Sequence, residues 1–109
     1  MIFIETSQFT QRINTLVSDE DYADFQHMLA ASPEKGALMV GCGGVRKVRM
    51  AAKGKGTSGG ARIIYLYIAN QDHIYLLTLF TKNEAANLSA EGKKAVRKLA
   101  EAIKHAHRS

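Results

Sequence analysis

Apolar and polar positions change rhythm three times along this chain, and each change predicts a different kind of element. Residues 2–5, IFIE, read as a short strand. SQFTQRINTLV then spaces Phe9, Ile13 and Leu16 for one helical face, with Ser7 as its cap. A second helix opens at Ser18, where Ser18 and Asp21 stand at capping-box spacing with Asp in place of the usual Glu. Acids in that first turn suit the positive end of the helix dipole. Tyr22, Phe25, Met28 and Leu29 make its apolar stripe, and Ser32-Pro33 ends it. The two helices read as an antiparallel hairpin.

After Pro33 the period shortens. GALMVGCGG predicts a loop or short strand, and VRKVRMAA a strand that carries basic residues. ARIIYLYIA and HIYLLTLF are β-branched and aromatic runs separated by NQD, the pattern of a hairpin. Both runs are apolar at nearly every position, which predicts central strands covered on both faces. From Ser89 to His107 the helical period returns. Val96, Leu99 and Ile103 with Ala95, Ala102 and Ala106 form one face, and Lys93, Lys94, Arg97, Lys98 and Lys104 the other. The order β-α-α-β-β-β-α belongs to the α+β class: a small antiparallel sheet with an N-terminal helical hairpin and a C-terminal helix.

At 109 residues a single domain, 1–109, is expected. The N-terminus lacks the basic lead and apolar core of a signal peptide, and no apolar run approaches the roughly 18 residues of a membrane span. The lone Cys42 cannot form an intramolecular disulfide, which suits a reducing compartment. A cytoplasmic protein without membrane contact is expected.

Charge changes this picture, because it is segregated. Residues 1–45 carry two basic and six acidic side chains. Residues 46–83 carry seven basic ones, Arg46, Lys47, Arg49, Lys53, Lys55, Arg62 and Lys82, against Asp72 alone. A solvated lysine-rich surface normally interleaves acids, and this stretch does not. Cations concentrated in this way point to an anionic partner, nucleic acid being the commonest.

Within that stretch, Gly54-Lys55-Gly56-Thr57-Ser58-Gly59 spells the GxGxxG of dinucleotide-binding loops. Such a loop must open a helix, whose free N–H groups receive the pyrophosphate. Here ARIIYLYIA follows, a strand, and position 79, where an acid should stand, is Leu. No phosphate-loop GxxxxGK[ST] is present either. What remains is a glycine-rich connection between strands that carries two lysines, and no cofactor is expected. Arg46, Lys47 and Arg49 before the loop, Arg62 after it and Lys82 at the end of the last strand converge on one edge of the sheet. Clustered cations can fix a phosphate and stabilise the added charge of its transition state. Other constellations are weaker: Cys42 has no histidine near it, and His105 and His107 fall on opposite sides of a helix, so no metal site is expected.

GGVRKVRMAAKGKGTSGGARIIYLY, followed by YLLTLFTKNEAANLS and a basic terminal helix, resembles the HigB branch of the RelE/ParE toxin superfamily. The likeness is tight over residues 43–88 and extends in length and element order to the whole chain. It implies the toxin of a type II toxin–antitoxin pair, an mRNA interferase that cuts mRNA in the ribosomal decoding site and is silenced by a cognate antitoxin. Operator DNA would be reached only through the antitoxin complex. Transferred to this chain, Lys47, Arg49, Lys53, Arg62 and Lys82 become the catalytic set. Arg46, Lys55 and Glu84 become RNA-binding positions, with Glu84 also the nearest carboxylate for a general base. Some relatives use a tyrosine beyond the last strand in proton transfer, and NEAANLS has none. The implied chemistry is attack of the 2′-OH on the adjacent phosphate, without metal. Two other readings stand beside it: a ParE-like inhibitor of DNA gyrase, and a non-catalytic RNA-binding module.

Overall fold

The computed structural model describes residues 1–50, 60–81 and 89–108. Strand β1 (Ile2–Glu5) leads into helices α1 (Ser7–Leu16) and α2 (Asp19–Ala31). A two-residue strand β2 (Ala37–Leu38) and then β3 (Arg46–Met50), β4 (Ala61–Ile68) and β5 (His73–Thr81) follow, and helix α3 (Ala90–Arg108) closes the chain. The helix starts are set by side-chain caps. Ser18 Oγ accepts from the Asp21 amide at 3.1 Å, as its spacing predicts. The first helix is capped one residue earlier than expected, by Thr6 rather than Ser7, whose Oγ1 accepts from the Phe9 amide at 3.1 Å. Ser18→Ala should cost about 1 kcal/mol of stability, measured by urea denaturation, because one end-turn amide loses its acceptor.

The five strands form one sheet in the order β1-β5-β4-β3-β2. β2 to β5 pair antiparallel as expected, whereas β1 joins the edge of β5 in parallel, Ile2 opposite His73 and Glu5 opposite Leu76. The apolar runs of β4 and β5 are central, and both sheet faces are covered. On one face Phe9, Ile13, Phe25 and Leu29 of α1 and α2 meet Val48, Met50, Ile63, Tyr65, Leu76 and Leu79. On the other, Val96 and Ala100 of α3 meet Cys42, Val45, Ile64, Leu66 and Leu77. Helix α3 is rotated from the expected setting. Its buried line is Val96, Ala100 and the half-buried Ile103, while Leu99 is 39% exposed and Ala95, Ala102 and Ala106 face outward. The loop glycine Gly43 packs against this line, where a Cβ would lie 3.4 Å from that of Ala100. Among the described residues no helix is long and apolar enough to cross a membrane.

Candidate nucleic-acid interface

Successive side chains of a strand point to opposite faces, so the basic run of β3 must divide. Val48 and Met50 enter the core under α1 and α2. Lys47 and Arg49 therefore project on the α3 side. The register sets Arg49 directly opposite Arg62 of β4, and Lys47 opposite Ile64. Arg49 is exposed, while Lys47 and Arg62 are half-buried. Like charges directly opposite one another destabilise an antiparallel pair, so this arrangement is one that stability alone would not choose. Nη1 of Arg62 is buried and has no hydrogen-bond partner among the described residues. A buried guanidinium donor without an acceptor is costly, and an anion arriving on this face would supply the missing one. Phe80, a residue the sequence reading did not single out, stands opposite Arg62 on β5 and is half-buried on the same face.

Met50, Ala61 and Thr81 form one cross-strand row at this end of the sheet. The segments 51–59 and 82–88 thus attach to the same end as Arg49 and Arg62. Lys53, Lys55, Lys82 and Glu84 belong to those segments and lie outside the described residues.

Arg46 has a different use. Its alternation puts it on the α1–α2 side, opposite Tyr65. Its Nη1 donates to the carbonyls of Glu34 and Gly36 at 3.1 and 2.7 Å, and its guanidinium lies 3.9 Å from the Glu34 carboxylate. The structure thus separates Arg46 from Lys47, Arg49 and Arg62 and makes it a clamp on the 34–36 loop. Tyr65 completes that clamp: its hydroxyl donates to the Pro33 carbonyl at 2.8 Å and accepts from the Gly36 amide at 2.9 Å. Burial, opposed in part by the Gly36 amide and Arg46, holds the Tyr65 phenol above its ordinary pKa, so it stays a donor at neutral pH. A Cβ on Gly36 would fall 2.8 Å from the Tyr65 ring and hydroxyl and 2.9 Å from the Lys47 carbonyl. Gly36→Ala should therefore cost about 1–3 kcal/mol in thermal unfolding, and because the displaced carbonyl belongs to Lys47, it should also lower activity in the folded fraction.

At the far end of β4 and β5, His73 and His107 come together. Tyr75 Oη lies 2.7 Å from His107 Nε2, and the rings of His73 and His107 are 5.5 Å apart, which fastens the last turn of α3 to the sheet.

This α+β domain brings Lys47, Arg49 and Arg62 onto one face of its sheet. The profile of the family described as "RelE toxin of RelE / RelB toxin-antitoxin system" matches residues 10–109. The chain belongs to the RelE toxin family and is a toxin of the type II toxin–antitoxin class. The fold is similar to that of the isolated E. coli RelE toxin, with a TM-score of 0.56, 17% identity and coverage of 90% of this chain and 97% of that one. It is similar to the intact E. coli RelBE toxin–antitoxin complex, with a TM-score of 0.59, 14% identity and coverage of 76% and 98%. The archaeal RelE–RelB complex from Pyrococcus horikoshii OT3 matches with a TM-score of 0.53, 20% identity and coverage of 77% and 97%.

Proposed function

We propose that this toxin is a ribosome-dependent mRNA endonuclease of the HigB branch, acting as one domain over residues 1–109 in the cytoplasm. The observation that supports it best is the Arg49–Arg62 pair, with a buried donor of Arg62 that has no partner among the described residues, on the face that also carries Lys47. In the reaction the 2′ oxygen of one nucleotide attacks the adjacent phosphorus and the bond to the 5′ oxygen breaks. A 2′,3′-cyclic phosphate and a free 5′-hydroxyl result. Arg62 is suited to hold a non-bridging oxygen as its charge grows, and Arg49 and Lys47 to hold the flanking backbone. These side chains supply the charge neutralisation that a metal ion supplies in other nucleases. Lys53, Lys82 and the carboxylate of Glu84 are the candidates for taking the proton that leaves the 2′-OH. A site with so few dedicated acid–base groups gains most from a substrate already oriented, which is what the decoding site provides. A cognate antitoxin is the expected partner, as in the RelB complexes of similar fold.

The test is cleavage of a reporter mRNA in a purified translation system, with 5′ ends mapped with and without ribosomes. Cuts that need ribosomes support the reading. Intact mRNA and unimpaired translation would refute it and turn attention to gyrase supercoiling.

A further inference from the structure

We propose that the cavity where the end of α3 meets the far end of β4 is a binding site for a nucleoside phosphate, separate from the cationic face. The phosphate is held by Lys104 and His107, and the nucleoside lies along the wall of Ile68 and Ala69.

The cavity has a volume of about 390 Å³ and is lined by Tyr67, Ile68, Ala69, Asn70, Lys104 and His107. That volume falls within the roughly 300–1,000 Å³ of small-molecule sites. Two short segments build it. Strand β4 ends at Ile68 and the chain turns at Ala69–Gln71, which leaves Ala69 and Asn70 exposed. On α3, Lys104 and His107 are three residues apart and so share one side of the helix. Both are half-buried. His107 is held in place: its Nε2 and Tyr75 Oη share a hydrogen bond of 2.7 Å, and its ring meets those of His73 and Tyr75 edge-on, at 5.5 and 5.6 Å. A side chain fixed beforehand loses little freedom when a ligand arrives.

The lining chemistry identifies the ligand. Lysine, histidine, asparagine and tyrosine side chains can all donate hydrogen bonds, and no carboxylate is among the described residues that line the cavity. The acids closest in sequence are engaged elsewhere, Asp72 with the Met1 ammonium at 3.0 Å and Glu101 with the Arg97 guanidinium at 3.1 Å. A donor-rich, positively charged lining suits an anion and opposes a metal cation. Next to His107, Nδ1 of His73 is buried with no partner among the described residues. Arg62 Nη1, in the cationic site, is the other described side-chain atom in that state. A bare phosphate would leave the apolar wall and most of the volume empty. A ribose and base would cover Ile68 and Ala69, and the Asn70 amide offers both a donor and an acceptor to a base edge. The two sites are distinct. Ile68 is six residues along β4 from Arg62, about 20 Å, and Val96 and Ala100 of α3 pack over Ile64 and Leu66 between them.

The test uses the isotope-labelled Arg62→Ala chain, a background that permits expression, titrated with nucleoside monophosphates and with inorganic phosphate. Amide shifts in the magnetic resonance spectrum should centre on residues 68–70 and 104–107. A nucleotide should bind about tenfold or more tightly than inorganic phosphate, because it also covers the apolar wall. Lys104→Glu reverses the charge and Ala69→Trp fills the cavity; circular dichroism and melting check the fold. Each should weaken nucleotide binding about tenfold or more. Competition with a trinucleotide lacking a terminal phosphate separates the sources: displacement assigns the phosphate to an RNA chain, and its failure to a free nucleotide. No shift at millimolar nucleotide overturns the proposal, as do shifts confined to residues 46–49 and 61–63. So does affinity within twofold of the parent in both variants, or inorganic phosphate binding as tightly as any nucleotide. The outcome is independent of the nuclease assay, since Arg62 is absent throughout.

Discussion

Arg62→Ala is expected to lower mRNA cleavage by about 100- to 1,000-fold, the usual effect of removing one donor aimed at developing charge, without loss of the fold. The two parts have different causes. The side chain makes no hydrogen bond through Nη1 to any described residue, so its removal breaks no such structural contact there. It also relieves the apposition with Arg49, so stability should stay level or rise slightly. Arg62→Lys should recover part of the activity, because the charge returns but the planar fork does not. The experiment pairs a thermal melt with the rate of cleavage in the ribosome-containing assay. Full activity in Arg62→Ala would remove this residue from the site.

Phe9→Ala should do the reverse. Phe9 is completely buried where α1 meets the sheet, and its ring lies 5.9 Å from that of Tyr22. Deleting it should cost about 3–5 kcal/mol, from lost burial plus the cavity left behind. For a domain near this size that is a fall in melting temperature of well over ~10 °C. Tyr22 limits the collapse that could refill the space, since its hydroxyl is tied to Glu5. Burial, and then the Glu5 carboxylate, keep that phenol protonated far above its ordinary range. Molecules that remain folded should still cleave, because Phe9 belongs to the face away from the cations. Urea denaturation gives the first number, and activity per folded molecule at low temperature the second. Taken together the variants would separate two faces of one sheet: the packing of α1 and α2 on one, and the proposed chemistry at the end of the α3 side on the other.

The strands and helices were legible because their signals are local. The runs of β4 and β5, the NQD turn between them and the Ser18 cap all lie within a few residues of what they specify. Asp72 even takes the left-handed conformation that such a turn favours, with a φ of 55°. The family likeness was legible for the same reason, being carried by a contiguous string of motifs. Lys47, Arg49 and Arg62 were legible as a basic set, yet their mutual placement was not. Arg46 belongs to the same string and is a neighbour of Lys47 in sequence. Only the pairing with β4 shows that it turns away, onto the loop at Glu34 and Gly36. The Arg62 donor without a partner among the described residues and the place of Phe80 opposite Arg62 depend on that pairing as well.

By itself, then, the sequence determined the order of the main elements (the two-residue β2 apart), the α+β class, the central position of the two apolar strands and the segregation of positive charge. Periodicity, caps and composition settle all of these over short spans. Tertiary structure decided the parallel seat of β1, the rotation of α3 about its axis and the division of one basic strand between two faces. Those depend on register and packing between residues far apart in the chain. In a strand, a shift of one position exchanges the face on which every side chain stands.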